Sequence, residues 1–290
     1  MNQMQKVNLI IDGSNLLHRV HWISSQSTAS TIHMFMNSLK KLHTEWMPSD
    51  VYIAWDSKLI RGKKSFRKTN EDYKSNRDPK HAEQVYEHEK AIRNICKTLG
   101  VCNIHPGVLE ADDVMYFLTN TLTSDNVIIS SDHDMLQTIS TNTCVYNPMS
   151  KVTYNLENFS SLLPVTIDMF IHYKALIGDK SDNIAGIKGV GSKTAVKIIN
   201  NGIKESLTTE QYDIYANNLK LVDLKTATDN HPGERKIYQY QLENYLDKNP
   251  GDYNEFKTIC EEVGYPESAI DKFSIFFKNE INNALLQILK

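Results

Sequence analysis

Three short apolar runs, each closing on an aspartate, constrain this chain more than any other feature: "VNLIID" (Val7 to Asp12), "VYIAWD" (Val51 to Asp56) and "NVIISSDHD" (Asn126 to Asp134). Continuous apolar runs of this length suit strands covered on both faces. Between the first two, Ile32, Phe35, Met36, Leu39, Leu42 and Trp46 recur at helical spacing, and a further helical pattern follows "EADD". The β-helix-β rhythm predicts an α/β fold with a central, mostly parallel sheet flanked by helices, whose ligands gather outside the carboxyl ends of the strands. Strand-terminal aspartates meet at that edge.

Collecting the acids at strand ends and nearby turns gives Asp12, Asp56, Glu110, Asp112, Asp113, Asp132, Asp134, Asp179 and Asp182. So many negative charges in one cleft repel unless cations neutralise them. Oxygen donors without His or Cys in the same motifs favour Mg²⁺, with Mn²⁺ as a substitute, over zinc. The division into an early and a late set suggests two ion positions, the arrangement that clamps attacking and leaving oxygens in phosphoryl displacement. Each motif alone has an ordinary explanation: Asp in a solvated turn, or an acidic first helical turn at "EADD". Their joint occurrence carries the reading. His133, inside "DHD", reads as a solvent-facing spacer.

The stretch "GDKSDNIAGIKGVGSKTA" (Gly178 to Ala195) sets charge directly against glycines. Asp179 and Asp182 are close enough in sequence to face one ion. The glycine half reads as the turn of a helix-hairpin-helix: Gly189 and Gly191 permit close backbone approach, and Ser192 is placed to cap the next helix, leaving N–H groups for an anion. Lys193 adds charge to a phosphate contact without reading sequence. An ordinary helix-helix turn is the plainer alternative.

From Lys58 to Lys80 there are nine Lys or Arg against three acids, with Phe66 and Tyr73 among them. A solvated loop is one reading of that run. Aromatic rings between cations, suited to bases and phosphates together, are the other. Formal net charge is only -3, so a nucleic-acid role rests on such local patches. Four separated cysteines without a CxxC pair argue against a zinc site and a disulfide framework. The first residues hold an apolar run too short for a signal segment or membrane span, so a cytoplasmic protein is expected.

With "LIIDGSNLLHR", "YIAWD", "FRKTNEDYKSNR", "EADD", "SSDHDMLQ" and "GDKSDNIAGIKGVGSKTA" in this order, the chain resembles the 5′-nuclease family of flap endonucleases and 5′→3′ exonucleases, in particular the free-standing bacteriophage enzymes. The resemblance runs from about Leu9 to Ile199. It implies a PIN-like core over residues 1–165 with a helical arch at about 58–95, and a helical region over 166–290 with its helix-hairpin-helix at about 183–200. By resemblance, Asp12, Asp56, Glu110, Asp112 and Asp113 match the first metal cluster, with Asp112 bridging, and Asp132, Asp134, Asp179 and Asp182 match the second. Lys74 and Arg77 match arch residues that reach the scissile phosphate, and Tyr73 an aromatic that stacks on a base. Arg19 and Lys174 match basic positions near the cleft. The hairpin matches one that holds K⁺ and grips duplex DNA. The implied activity is two-metal hydrolysis of DNA bearing a 5′ flap, nick or overhang, or of RNA/DNA primers, by a monomer.

Three rivals compete with this reading. A haloacid-dehalogenase-type phosphatase needs an acid two positions after its nucleophile, where this chain has Ser14. A PIN-type ribonuclease needs neither arch nor hairpin. A DNA-junction-binding protein with a dead site is expected to have lost carboxylates, and none of the expected ones is missing here. After Ile199 no motif is matched; Phe273, Phe276 and Phe277 read as one helix face packing inward.

Overall fold

The computed structural model describes residues 7–24, 27–57, 67, 80–246 and 251–277. Strands β1 (Val7–Asp12), β2 (Asp50–Ala54), β3 (Cys102–Ile104), β4 (Asp125–Ile129), β5 (Thr143–Asn147) and β6 (Val152–Tyr154) form one sheet in the order β3-β2-β1-β4-β5-β6. All pairings are parallel except that of β5 with β6. Leu9, Ile10 and Ile11 of β1 are fully buried, as a strand covered on both faces requires. The apolar run that begins at Asn126 is strand only as far as Ile129. Ser130 to Asp132 form a loop and His133–Thr138 a 3-10 helix, because the Ser and Asp side chains there bond to nearby backbone and offer an alternative to the ladder.

Around the sheet pack α1 (Gly13–Ile23), α2 (Thr28–Trp46), α3 (Lys80–Thr98), α4 (Ala111–Thr121) and the short α5 (Phe159–Leu162). The helical region then runs through α6 (Phe170–Ile177), a two-stranded hairpin β7 (Gly178–Asp179) and β8 (Ile184–Ala185), α7 (Ser192–Asn201), α8 (Ile203–Ser206), α9 (Thr209–Val222), α10 (Leu224–Asp229), α11 (Pro232–Leu246), α12 (Tyr253–Glu262) and α13 (Glu267–Ile270). Within the span expected for an arch, α3 is an amphipathic helix whose Val85, Ile92, Ile95 and Cys96 are buried in the core. Among the described residues, no helix is long and apolar enough to cross a membrane.

The helical region does not stand apart from the sheet. Leu224, Tyr238 and Leu242 join Ile10, Tyr52 and Ile128 in one buried cluster, while Phe256, Cys260, Phe273 and Phe277 join Leu9, Phe35 and Trp55 in another on the opposite face. Phe273 and Phe277 are buried as the spacing predicts, in a 3-10 segment, Asp271–Phe277. Phe276 is half-buried and packs its ring on His43, with centroids 4.1 Å apart.

Candidate metal-dependent active site

Strand order places a switch between β1 and β4, where successive connections leave in opposite directions and open a crevice at the carboxyl ends. Asp12 sits there, ending β1 and capping α1. Its Oδ1 accepts the Asn15 N–H at 2.8 Å, and its Oδ2 accepts the Ser130 hydroxyl at 3.0 Å. Gly13 lets α1 begin hard against β2, since a Cβ there would lie 2.5 Å from Ile53 Cγ2. Ser14 Oγ accepts the Asp56 N–H at 2.9 Å, and Asp56 Oδ1 accepts the Ala111 N–H at 2.9 Å. That bond joins β2 to the start of α4.

Glu110 precedes α4 and is buried; Asp112 is half-buried in its first turn, where a helix N-terminus favours acids. Across the switch, Asp132 caps the 3-10 helix through Oδ1 and the Asp134 N–H at 2.8 Å. Asp134 is buried in the first turn of that helix, and His133 between them is exposed.

These groups press on one another electrically. Burial, opposed by the Asn15 N–H and reinforced by the charges of Asp56 and Asp132, pushes the Asp12 carboxyl up to about 7. Burial likewise raises Asp134, with Lys174 opposing it and Asp132 and Asp179 adding to it. Lys174, matched by resemblance to a basic position near the cleft, lies buried on α6 with its ammonium donating to Asp134 Oδ1 and to Asp179 Oδ2, the latter at 2.6 Å. Two carboxylates in a low-dielectric crevice demand a counter-charge, and Lys174 supplies it. Burial works against ionisation of Asp179, but Lys174 and the Ser181 hydrogen bonds hold it down at about 2. Asp182 is buried in the same loop, its N–H directed at Asp179 Oδ1.

Asp113 differs from the other members of its motif. Fully buried, it receives the Arg67 guanidinium at 3.0 Å and the Glu110 N–H at 3.0 Å on Oδ2. Arg67 comes from the basic segment, approaches Glu110 Oε2 at 3.7 Å, and donates through Nε to the Leu221 carbonyl at 3.0 Å. It therefore pins the α4 N-terminus to the end of α9. Gln137 grips the same junction, donating to the Val222 carbonyl and accepting the Leu224 N–H. Neither role was legible in sequence: Arg67 is one cation among nine, and Gln137 is unremarkable in "DMLQ".

As the side chains stand, no three of the described His, Cys, Asp and Glu are drawn tightly enough together to hold an ion. The donor set nevertheless fits a hard divalent cation: oxygen only and partly buried, with burial and the neighbouring Asp56 and Asp132 charges raising the Asp12 carboxyl to about 7. Asp12, Asp56, Glu110 and Asp112 would hold one ion, and Asp132, Asp134, Asp179 and Asp182 the neighbouring one.

Beyond the crevice, α6 and α7 flank the hairpin turn. Gly178 has φ 76°, and a Cβ there would meet the Gly186 nitrogen at 2.3 Å, so only glycine lets the strands cross. Asn218 of α9 donates to the carbonyls of Ala175 and Ala185, stapling both sides of the turn. Gly191, and not Ser192, occupies the cap position of α7; Ser192 is the first helical residue, and the cap residue offers no side chain to the first-turn N–H groups. Gly189 has φ 82°, and Gly189, Gly191, Ser192 and Lys193 are all exposed, with Lys188 and Lys197 nearby in sequence. Arg19 is half-buried on α1, and burial lowers its pKa. Tyr73, Lys74 and Arg77 lie outside the described residues.

Residues 7–162 match the family model for the 5'-3' exonuclease N-terminal resolvase-like domain, and residues 165–219 that for the 5'-3' exonuclease C-terminal SAM fold. The chain belongs to the 5'-3' exonuclease family. Within it, similarity to the 5'-3' exonuclease of Mycoplasmopsis pulmonis is 32% identity over 67% of this chain and 66% of the relative. The flap endonuclease Xni of Shewanella woodyi is also 32% identical, over 66% and 76%. A DNA polymerase I from Caldicellulosiruptor bescii is 31% identical over 66% of this chain but 24% of the polymerase. The chain thus spans about two thirds of the first relative and about a quarter of the polymerase. In fold it is similar to the bacteriophage T5 D15 flap endonuclease solved as a pseudo-enzyme-product complex with DNA and metal ions (25% identity, TM-score 0.67, covering 83% of this chain and 98% of that one). The catalytic core of Rad2, solved with a DNA substrate, shares the fold at TM-score 0.55 and 17% identity, covering 94% and 93%.

Proposed function

We propose that this chain is a structure-specific 5′ nuclease, hydrolysing phosphodiesters of DNA with a 5′ flap, nick or overhang, or of RNA/DNA primers, with two Mg²⁺ ions for which Mn²⁺ substitutes. The observation that carries this reading is the run of neighbouring acids Asp56, Asp12, Asp132, Asp134 and Asp179 along the crevice, each within electrostatic reach of the next. Bound divalent ions there would polarise the phosphate and acidify an attacking water.

The chain's own groups supply the remainder. Open N–H groups at the Gly191 end of α7, with Lys193, suit a duplex phosphate and fix the distance from the duplex to the crevice. A potassium ion at the hairpin carbonyls belongs to the same reading, as do Arg19 at the crevice and Lys74 and Arg77 against charge developing on the phosphate, with Tyr73 stacked on a base. Lys174 keeps Asp134 and Asp179 oriented. The protein acts as a monomer in the cytoplasm.

The deciding assay uses DNA with a labelled 5′ flap, incubated with protein in Mg²⁺ or in EDTA. Release of a flap-length product in Mg²⁺ alone is expected. Tight junction binding without cleavage would favour a dead-site binding protein instead.

A further inference from the structure

The segment that delivers Glu110 leaves β3 at Ile104 and has no ladder partner of its own before α4 begins. On one side it rests on the end of β2: Trp55 N–H donates to the Ile104 carbonyl and Ser57 N–H to that of Leu109. On the other side it meets α11. Glu234, a buried carboxylate, accepts the Gly107 N–H at 2.7 Å and the Val108 N–H at 3.1 Å. About two turns further along the same helical face, Gln241 accepts the His105 N–H at 2.9 Å and donates to the His105 carbonyl at 2.8 Å. Two side chains therefore satisfy four backbone groups of a short loop that precedes the carboxylate motif.

A buried carboxylate is costly unless it is hydrogen-bonded, and Glu234 finds its partners in that loop. The fit is close: a Cβ on Gly107 would lie 2.6 Å from Glu234 Oε1. Helix α11 lies beyond residue 219, where the family models end. The same loop and Asp56 are locked together through the Ala111 N–H, so a shift at Gly107 carries to the Asp56, Glu110 and Asp112 carboxylates as one unit.

We propose that Glu234 and Gln241 are positioning residues of the active site, with α11 acting as a strap that sets the spacing of the early carboxylate set. Neither side chain touches the substrate; they act through the backbone of residues 105–108. This rests on the nuclease reading given above. Outer-shell groups of this kind shift metal affinity or activity by about 10–100-fold when removed.

The test uses the full chain carrying Glu234→Gln, which keeps shape but presents an amide N–H to one loop N–H, and Gln241→Ala at the other anchor. In metal-free protein, hydrogen exchange of the amides over residues 105–110 is expected to accelerate by about tenfold or more while the rest of the sheet is unchanged. In the flap assay, the Mg²⁺ concentration for half-maximal cleavage is expected to rise about tenfold, with KM for DNA unaltered. Glu234→Asp should restore part of both. If Glu234→Gln unfolds the chain, Gln241→Ala carries the same two readouts. Faster exchange with an unchanged Mg²⁺ requirement would make the strap a purely structural brace and overturn the proposal, as would unchanged exchange. A wild-type chain that cuts no DNA overturns the nuclease reading separately, since the exchange experiment needs no activity.

Discussion

Arg67 and Asp113 form an ion pair with both partners almost wholly out of water. Removing one partner of such a pair leaves a buried charge uncompensated, so Arg67→Met should lower stability by about 3–5 kcal/mol. Denaturant titration checks it, and the double variant Arg67→Met, Asp113→Leu should recover most of the loss. Asp134 differs because its charge is shared with Lys174 at the crevice. Asp134→Asn is expected to abolish flap cleavage while leaving junction binding, measured by fluorescence anisotropy, within a few-fold of the parent. Loss of both together would remove Asp134 from the catalytic set. Of the crevice carboxylates, Asp12, Asp56, Glu110 and Asp112 stood out in sequence because each closes an apolar run or opens a helix, signals that reside in a few adjacent residues. The assignment of Asp113 to the same metal set followed from its place in "EADD". Its engagement by Arg67, 46 positions away, has no local sequence signature.

At the scale of elements, the β-helix-β rhythm of the first 165 residues was readable from periodicity, while boundaries were displaced by a few residues where Ser and Asp side chains compete for backbone bonds. The start of α7 is displaced by one residue for another reason, a glycine at the cap, and that has consequences. Gly191 leaves the first-turn N–H groups open, and a Cβ there meets nothing within 4 Å. Gly191→Ser should therefore preserve or slightly raise the melting temperature, because Ser is a better cap, yet weaken duplex binding several-fold by claiming those N–H groups. A binding constant that does not move would take α7 out of the interface. Asn218→Ala tests the other side of the turn. It strips partners from the Ala175 and Ala185 carbonyls and should cost about 1–3 kcal/mol, visible in chemical denaturation. Helix α11 was opaque in sequence because Glu234 reads as an ordinary acid in a first turn.

For the molecule as a whole, the two faces of the sheet are closed by segments far apart in the chain. Phe273 is fully buried with Phe256 and Phe277 in the cluster that also holds Leu9 and Phe35. Phe273→Ala should cost about 3–5 kcal/mol in unfolding free energy, and the loss should appear in one cooperative transition shared with the sheet. A separate early transition for the last helices would contradict that coupling. The same arrangement sets a timetable for biosynthesis. Leu9 leaves the ribosome long before Phe273, so the core under the first strand cannot close until the segment that carries Phe273 has emerged. Until then, β1 and the helices over it present an unfilled apolar face, the kind of surface that chaperones engage. A substitution in the final described helices should therefore lower the yield of folded protein in the cell even where it lies far from the carboxylates.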